Sequence, residues 1–158
     1  MPKVKEAFKK MGYEEALESN RESLEWITEH AGQFGHFIGG KFTKPKNLFK
    51  TINPFNKKEI AEISQGTLGD IKNSVKAARA GLKKWQSLSP FQRSKYLYSM
   101  ARYIQKESRT ISVLESMENG KSIRESRDVD IPLAARHFYY HAGWAQLLDE
   151  EFGNYSAI

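Results

Sequence analysis

Apolar positions recur in steps of three and four along the second half of the chain, and in steps of two over a short stretch of the first half. The clearest run is Ile71, Val75, Ala78, Leu82 and Trp85, spaced four, three, four and three. That spacing lines one face of a helix. Thr67, three residues before Asp70, supplies an N-cap with its first-turn acid. Ser89-Pro90 opens the next helix, because proline fits the first helical position, and Leu97, Met100, Ala101 and Ile104 form its stripe. A turn near Ser108 leads into Ile111, Leu114 and Met117. Asn119-Gly120 then stops the helix, since glycine takes the left-handed conformation without a Cβ clash. Ser122 and Glu125 read as a capping box for a further helix. Pro132 is tolerated only in a first turn or at a kink, so the chain bends between Arg127 and Ile131. Beyond it, Leu133, His137, Tyr140, Trp144 and Leu147, with His141 and Leu148 beside them, predict one buried face.

In the first half, Val4, Phe8 and Met11 line a short helix interrupted by Gly12. A second helix is expected over 13–28, with Leu17, Leu24 and Ile27 as its apolar face and Gly32 as its stop. Glu14, Glu15 and Glu18 sit near its positive end. From Phe34 the pattern is strand-like. F-G-H-F-I-G-G-K-F predicts a hairpin turning at Gly39-Gly40. Leu48 to Ile52 is a second extended run stopped by Asn53-Pro54, Asn56-Lys57 is a turn, and Glu59 to Ser64 alternates apolar and polar. The expected fold class is α+β, mainly α, with a small antiparallel strand meander that covers the edge of a larger sheet. Its three stretches are a helical extension over 1–33, the meander over 34–66 and a helical segment over 67–158.

Composition narrows the chemistry. The chain has 158 residues and no cysteine, which excludes disulfides, Cys-ligated zinc and a Cys nucleophile. No apolar run approaches the ~20 residues that span a bilayer, and M-P-K-V-K-E-A-F-K-K is not a secretory signal. No membrane is expected as a partner, and a cytoplasmic location is. The net charge of +6 reads as scattered surface lysine. Lysines do cluster from Lys41 to Lys58, but without the motifs of an RNA-binding strand or a zinc finger. A basic nucleic-acid-binding domain is therefore a rival class only.

His137 and His141 stand four apart, a spacing that can serve a metal. Their aromatic neighbours Phe138, Tyr139, Tyr140 and Trp144 favour a core or interface role. His30 and His36 have no partner in the pattern. Glu118, Asp128 and Asp130 are close in sequence with no nucleophile between them, and Ser112, Ser116 and Ser126 lack a spacing that suggests activation. Neither G-x-G-x-x-G after a strand nor G-x-x-x-x-G-K-[ST] occurs. No catalytic and no coenzyme-binding residue is predicted.

Four strings nevertheless occur in one order: F-I-G-G-K-F at Phe37–Phe42, T-I-N-P at Thr51–Pro54, V-K-A-A-R-A-G-L-K-K-W at Val75–Trp85, and E-N-G-K followed ten residues later by P-L-A-A-R-H-F-Y-Y-H-A-G-W-A. From Phe37 onward the chain resembles the N-terminal part of an NAD(P)-dependent aldehyde dehydrogenase. The earlier M-G-Y-E-E-A-L-E-S-N-R-E-S-L-E-W is similar to the extended N-terminus of that superfamily's family-16 members. The resemblance implies the outer helices and edge strands of a coenzyme-binding domain without its Rossmann sheet core. It also implies a parent enzyme, an oligomer, in which a Cys thiolate attacks an aldehyde, hydride passes to NAD(P), and water releases a carboxylic acid. The Cys, the Glu base, the oxyanion Asn and the coenzyme turn fall beyond the point matching Ile158. This chain alone is then inactive, and its partner is the remainder of the dehydrogenase. The resemblance also carries over a monovalent cation site, for a Na or K ion, from the Ile52 carbonyl and the Glu118 carboxylate. Hard cations take oxygen ligands. Against it, Glu118 can simply end a helix and face water. The rival reading of the whole chain is a non-enzymatic interaction module on the same scaffold.

Overall fold

A computed structural model describes residues 19–151. The short helix expected around Val4, Phe8 and Met11, and the first turns of the one expected over 13–28, lie outside that range. The first described helix, α1 (Arg21–Glu29), starts later than expected. Ser19 and Asn20 precede it outside the helix, and the Ser19 hydroxyl accepts a hydrogen bond from the Arg21 N–H at 3.3 Å. Short polar side chains compete for backbone groups in this way. On α1 the buried positions are Ser23 and Ile27, whereas the expected core residue Leu24 is 41% exposed. Ser23 donates to the Thr110 carbonyl at 3.3 Å, and Arg109 pairs with Glu22 at 3.1 Å. The helix is thereby seated on the later helical part. It ends through the Gly32 N–H bonding back to the Ile27 carbonyl.

Five short strands follow: β1 (Gln33–Phe34), β2 (Phe37–Ile38), β3 (Lys41–Phe42), β4 (Leu48–Ile52) and β5 (Glu59–Ser64). β2 and β3 form the expected hairpin, with Phe37 opposite Phe42. Gly39 and Gly40 carry φ of +63° and +80°, the two left-handed residues that a type I′ turn needs. β4 and β5 pair antiparallel from Leu48–Ser64 to Ile52–Glu59. β1 joins the far edge of β5 in parallel, giving the order β1-β5-β4. That parallel edge goes beyond the simple meander, because α1 and its loop deliver β1 in the same direction as β5.

The helical part comprises α2 (Leu68–Gln86), α3 (Pro90–Lys106), α4 (Ser108–Asn119), the short α5 (Ile123–Glu125), a π-helical turn over Ser126–Asp130, and α6 (Ile131–Glu151). The N-caps expected at Thr67 and Ser89 form, but the capping box expected from Ser122 and Glu125 does not: the Ser122 hydroxyl accepts from the Arg124 N–H at 3.3 Å instead. Thr67 and Asp70 close a reciprocal capping box on α2, as Ser89 and Gln92 do on α3. The π-turn is the bend expected before Pro132. The Ile131 N–H reaches the Ser126 carbonyl five residues back, and the proline sits in the first turn of α6, where its missing donor costs least.

α3 and α6 make the principal helix pair. Ala101 on α3 and Ala135 and Ala142 on α6 are buried, and small side chains allow two helices to approach closely. The face predicted as buried on α6 is rotated away from α3. Leu133, Tyr140, Trp144 and Leu147 are 39–61% exposed, and His137 is exposed too. Met100, in the predicted α3 stripe, is also exposed. The largest departure is α2, which buries none of its residues and touches the rest mainly at the hairpin. Its regular stripe lies open, with Ile71 at 60%, Val75 and Leu82 at 48% and Trp85 at 38%. Among the described residues the buried apolar ones are few and mostly small: Ile27, Ala61, Ala101, Val113, Ile131, Ala135 and Ala142.

Candidate functional site

Two of the quoted strings end at tight corners, and the fold brings those corners together. The first follows β4. The Asn53 N–H donates to the Lys58 carbonyl at 2.9 Å and the Lys57 N–H returns to the Asn53 carbonyl at 2.8 Å. The Asn53 side chain accepts from the Phe55 N–H at 2.9 Å, which fixes Pro54 at the apex. The second corner ends α4. The Gly120 N–H caps the helix on the Ser116 carbonyl at 3.0 Å with φ +80°. Asn119 accepts from the Lys121 N–H at 2.8 Å, and Ser116 Oγ donates to the Lys121 carbonyl at 2.8 Å. A methyl group at Gly120 would stand 2.7 Å from Cγ of Pro54, inside any normal contact distance.

Beside this junction Lys121 Nζ donates to Asp130 at 2.6 Å, with Glu115 at 3.8 Å. The bond to Asp130 raises the Lys121 pKa above its ordinary 10.5 against the opposing effect of partial burial. This pair ties the corner after α4 to the π-turn. Sequence reading missed it, and a Lys directly after Asn-Gly with an acid nine residues on was its only signal.

Glu118 is exposed and lines a cavity of about 200 Å³ together with Thr51, Trp26, Phe34 and Leu114. Ile52 is not among the residues that line this cavity. Ile52 itself is 43% exposed and faces Glu59 across the β4–β5 ladder. The other candidates separate. His137 and His141 are exposed, so of the core or interface role favoured for them the core half does not hold within this chain, and His141 meets the Tyr140 ring edge-on at 5.3 Å. Asp128 is clasped by Arg127 at 2.7 and 3.0 Å, which lowers its pKa below the ordinary 3.8. Ser112 donates to the Ser108 carbonyl at 2.6 Å. No group of three or more His, Cys, Asp or Glu residues that could hold a metal ion occurs among the described residues, and none of their helices is long and apolar enough to cross a membrane.

A dinucleotide phosphate would need a strand leading through a glycine turn to free helix N–H groups. The junction between β5 and α2 has this order, with Gly66 and Gly69. There the Asp70 carboxylate already accepts from the Thr67 N–H at 2.9 Å and from the Thr67 hydroxyl at 2.6 Å. An anion in the first turn repels a phosphate, and these residues do not fit the group.

The sequence model of the aldehyde dehydrogenase family matches residues 42–157, well over half of the chain. The acetaldehyde dehydrogenase of Pseudomonas aeruginosa is 38% identical over 113 residues, covering 70% of this chain and 22% of its own. Aldehyde dehydrogenase family 2 member B4 of Arabidopsis thaliana, a mitochondrial protein by its name, is 37% identical over 113 residues, covering 70% and 20%. Among solved structures, the NAD+ complex of an aldehyde dehydrogenase from Bacillus cereus superposes with a TM-score of 0.69 at 28% identity, over 74% of this chain and 25% of that one. HpcC from Thermus thermophilus shares the fold with a TM-score of 0.73 at 22% identity, over 83% and 27%. The chain thus spans about a quarter or less of the length of the first three of these relatives. Extending over both corners and the helices between them, the match establishes that the chain belongs to the aldehyde dehydrogenase family.

Proposed function

We propose that this chain serves as the first part of the coenzyme domain of an NAD(P)-dependent aldehyde dehydrogenase, the enzyme that oxidises an aldehyde to a carboxylic acid. The observation that carries this reading is α2. Its apolar stripe is the most regular in the sequence, yet Ile71, Val75, Leu82 and Trp85 stand open. Full burial of a Leu, Ile or Val side chain contributes about 1.5–3 kcal/mol, and a chain rarely maintains such a stripe unless something covers it. The remainder of the dehydrogenase fold, with its parallel sheet, is that cover. The nucleophile comes from the same remainder, since this chain has no cysteine. The stretches 1–33, 34–66 and 67–158 act as extension, edge sheet and outer helices of that domain. The assembled enzyme is a cytoplasmic homo-oligomer.

The junction of the two corners has a supporting role. A Na or K ion held by the Glu118 carboxylate and the Ile52 carbonyl would pin the end of β4 to the end of α4, where the helix dipole also favours a cation. A potassium titration followed by thermal unfolding tests this. A rise in Tm that disappears in Glu118→Gln supports the site, and an equal rise in both proteins removes it.

The reading frame downstream of Ile158 tests the main proposal. A continuation that contains a cysteine and a glycine-rich turn supports it. A stop codon directly after Ile158 transfers the case to an interaction module on the same scaffold. Purified chain mixed with NAD, NADP and a panel of aldehydes is expected to form no reduced coenzyme, and reproducible turnover would overturn the assignment of the nucleophile to another part of the protein.

A further inference from the structure

The cavity beside Glu118 has properties that the dehydrogenase reading does not use. It lies between α1, the β1-β5-β4 sheet and α4, and its volume is about 200 Å³. Its walls are apolar, formed chiefly by Ile27, Phe34, Ile60, Ile63 and Leu114. Trp26 lines it as well, stacked on Phe34 with ring centroids 5.3 Å apart. An enclosed apolar cavity of roughly 150 Å³ admits a benzene-sized molecule, and this one, open to solvent on one side, has room for a ring of that size. Two polar side chains reach this one, Thr51 and Glu118. The Thr51 hydroxyl is directed to the Ala61 carbonyl at 3.4 Å. Glu118 lines the cavity and is exposed to solvent at once, so it stands at the mouth. It also sits in the last turn of α4, where the carbonyl end of the helix adds negative potential.

We infer that this cavity is a binding site for a small organic cation, an aryl or short alkyl ring carrying a protonated amine. The ring fills the apolar space against Trp26 and Phe34, and the ammonium group meets Glu118 at the mouth. The shape and walls select size and apolarity. The carboxylate and the helix end select positive charge over neutral or negative analogues. This inference rests on the cavity of this chain, and the ammonium group would compete with the proposed Na or K ion for the Glu118 carboxylate.

The test is isothermal titration of the full chain with benzylamine, benzyl alcohol and benzoate at matched ionic strength. Benzylamine is expected to bind saturably at one site, about two- to fivefold tighter than benzyl alcohol, as an ion pair at an exposed carboxylate warrants, with benzoate weakest. Glu118→Gln is expected to bring benzylamine down to the level of benzyl alcohol. Ala61→Leu, which fills the cavity from the β5 side, is expected to abolish both. Circular dichroism shows whether that variant is folded, and Ile60→Ala, which enlarges the space, provides a second check by strengthening binding of the bulkier naphthylmethylamine. Equal binding of amine and alcohol by the wild type, or no saturable binding by either, overturns the inference. Unchanged amine binding in folded Ala61→Leu does the same, since it places the amine elsewhere.

Discussion

Gly120 and Pro54 touch across the junction of helix α4 and strand β4, so closely that an ideal Cβ on Gly120 would lie 2.7 Å from Cγ of the proline. Gly120 is also left-handed, with φ +80°. Two separate requirements therefore fall on one residue. The corner that ends α4 and the corner that ends β4 cannot close on each other with a side chain between them.

Gly120→Ala should lower unfolding stability by about 1–3 kcal/mol from the backbone conformation alone, with a further loss from the contact. Pro54→Ala in the same chain should recover the contact part and leave the backbone part. Urea unfolding of the two single variants and the double variant separates them. An unchanged urea midpoint for Gly120→Ala would mean that the corners do not meet as described.

Asp70 should make α2 sensitive to acid. Its hydrogen bonds from the Thr67 side chain and backbone, with Lys46 at 3.5 Å, hold its pKa below the ordinary 3.8. A lowered carboxylate pKa contributes stability above the unfolded value and loses it as pH falls through the folded one. Helicity should therefore drop as pH goes below about 4, and Asp70→Asn should flatten that drop. Circular dichroism between about pH 6 and pH 2 brackets the carboxylate range, and identical acid profiles for the two proteins would contradict the capping role. Thr67→Ala, which removes the other half of the box, should cost about 1 kcal/mol at neutral pH.

Trp144→Ala distinguishes a core aromatic from a surface one. Trp144 is 39% exposed and meets Tyr140 edge-on at 6.3 Å. Its truncation should cost less than about 1 kcal/mol, against the roughly 3–5 kcal/mol of a core tryptophan. A Tm loss on the larger scale would place the Trp144 face inside the molecule.

Much of the fold was legible because local signals agree with it. The caps at Thr67 and Ser89, the stop at Gly120, the Gly39-Gly40 turn and the bend before Pro132 are all decided within a few residues, and each formed where the pattern put it. Periodicity identified helical faces correctly but not which of them would be buried. Ile71 to Trp85 is the best stripe and the most open, because burial depends on a partner surface that a stripe does not specify. On α6 the alanines, not the aromatics, were chosen by the close approach of α3. The parallel edge at β1 depends on where α1 docks, through Ser23 and Arg109, and no local signal carries that. At the candidate site, sequence placed Glu118 and Ile52 near each other only by resemblance. The contact of Pro54 with Gly120 and the Lys121–Asp130 pair required coordinates, since each joins residues that nothing in the spacing links.

The open face of α2 is what calls for the rest of a dehydrogenase, and binding of a hydrophobic fluorescent dye reports that face directly. The chain is expected to bind the dye saturably and to self-associate as concentration rises, because apolar patches beyond a few hundred Å² seldom stay free on monomers. Replacing Ile71 and Leu82 by Glu together should remove more than about half of the dye signal and reduce association, with little change in Tm, since neither side chain is buried. A wild-type chain that remains monomeric at high concentration and binds no dye would show the face already covered, and would identify an autonomous domain in place of a part that awaits the rest of a dehydrogenase.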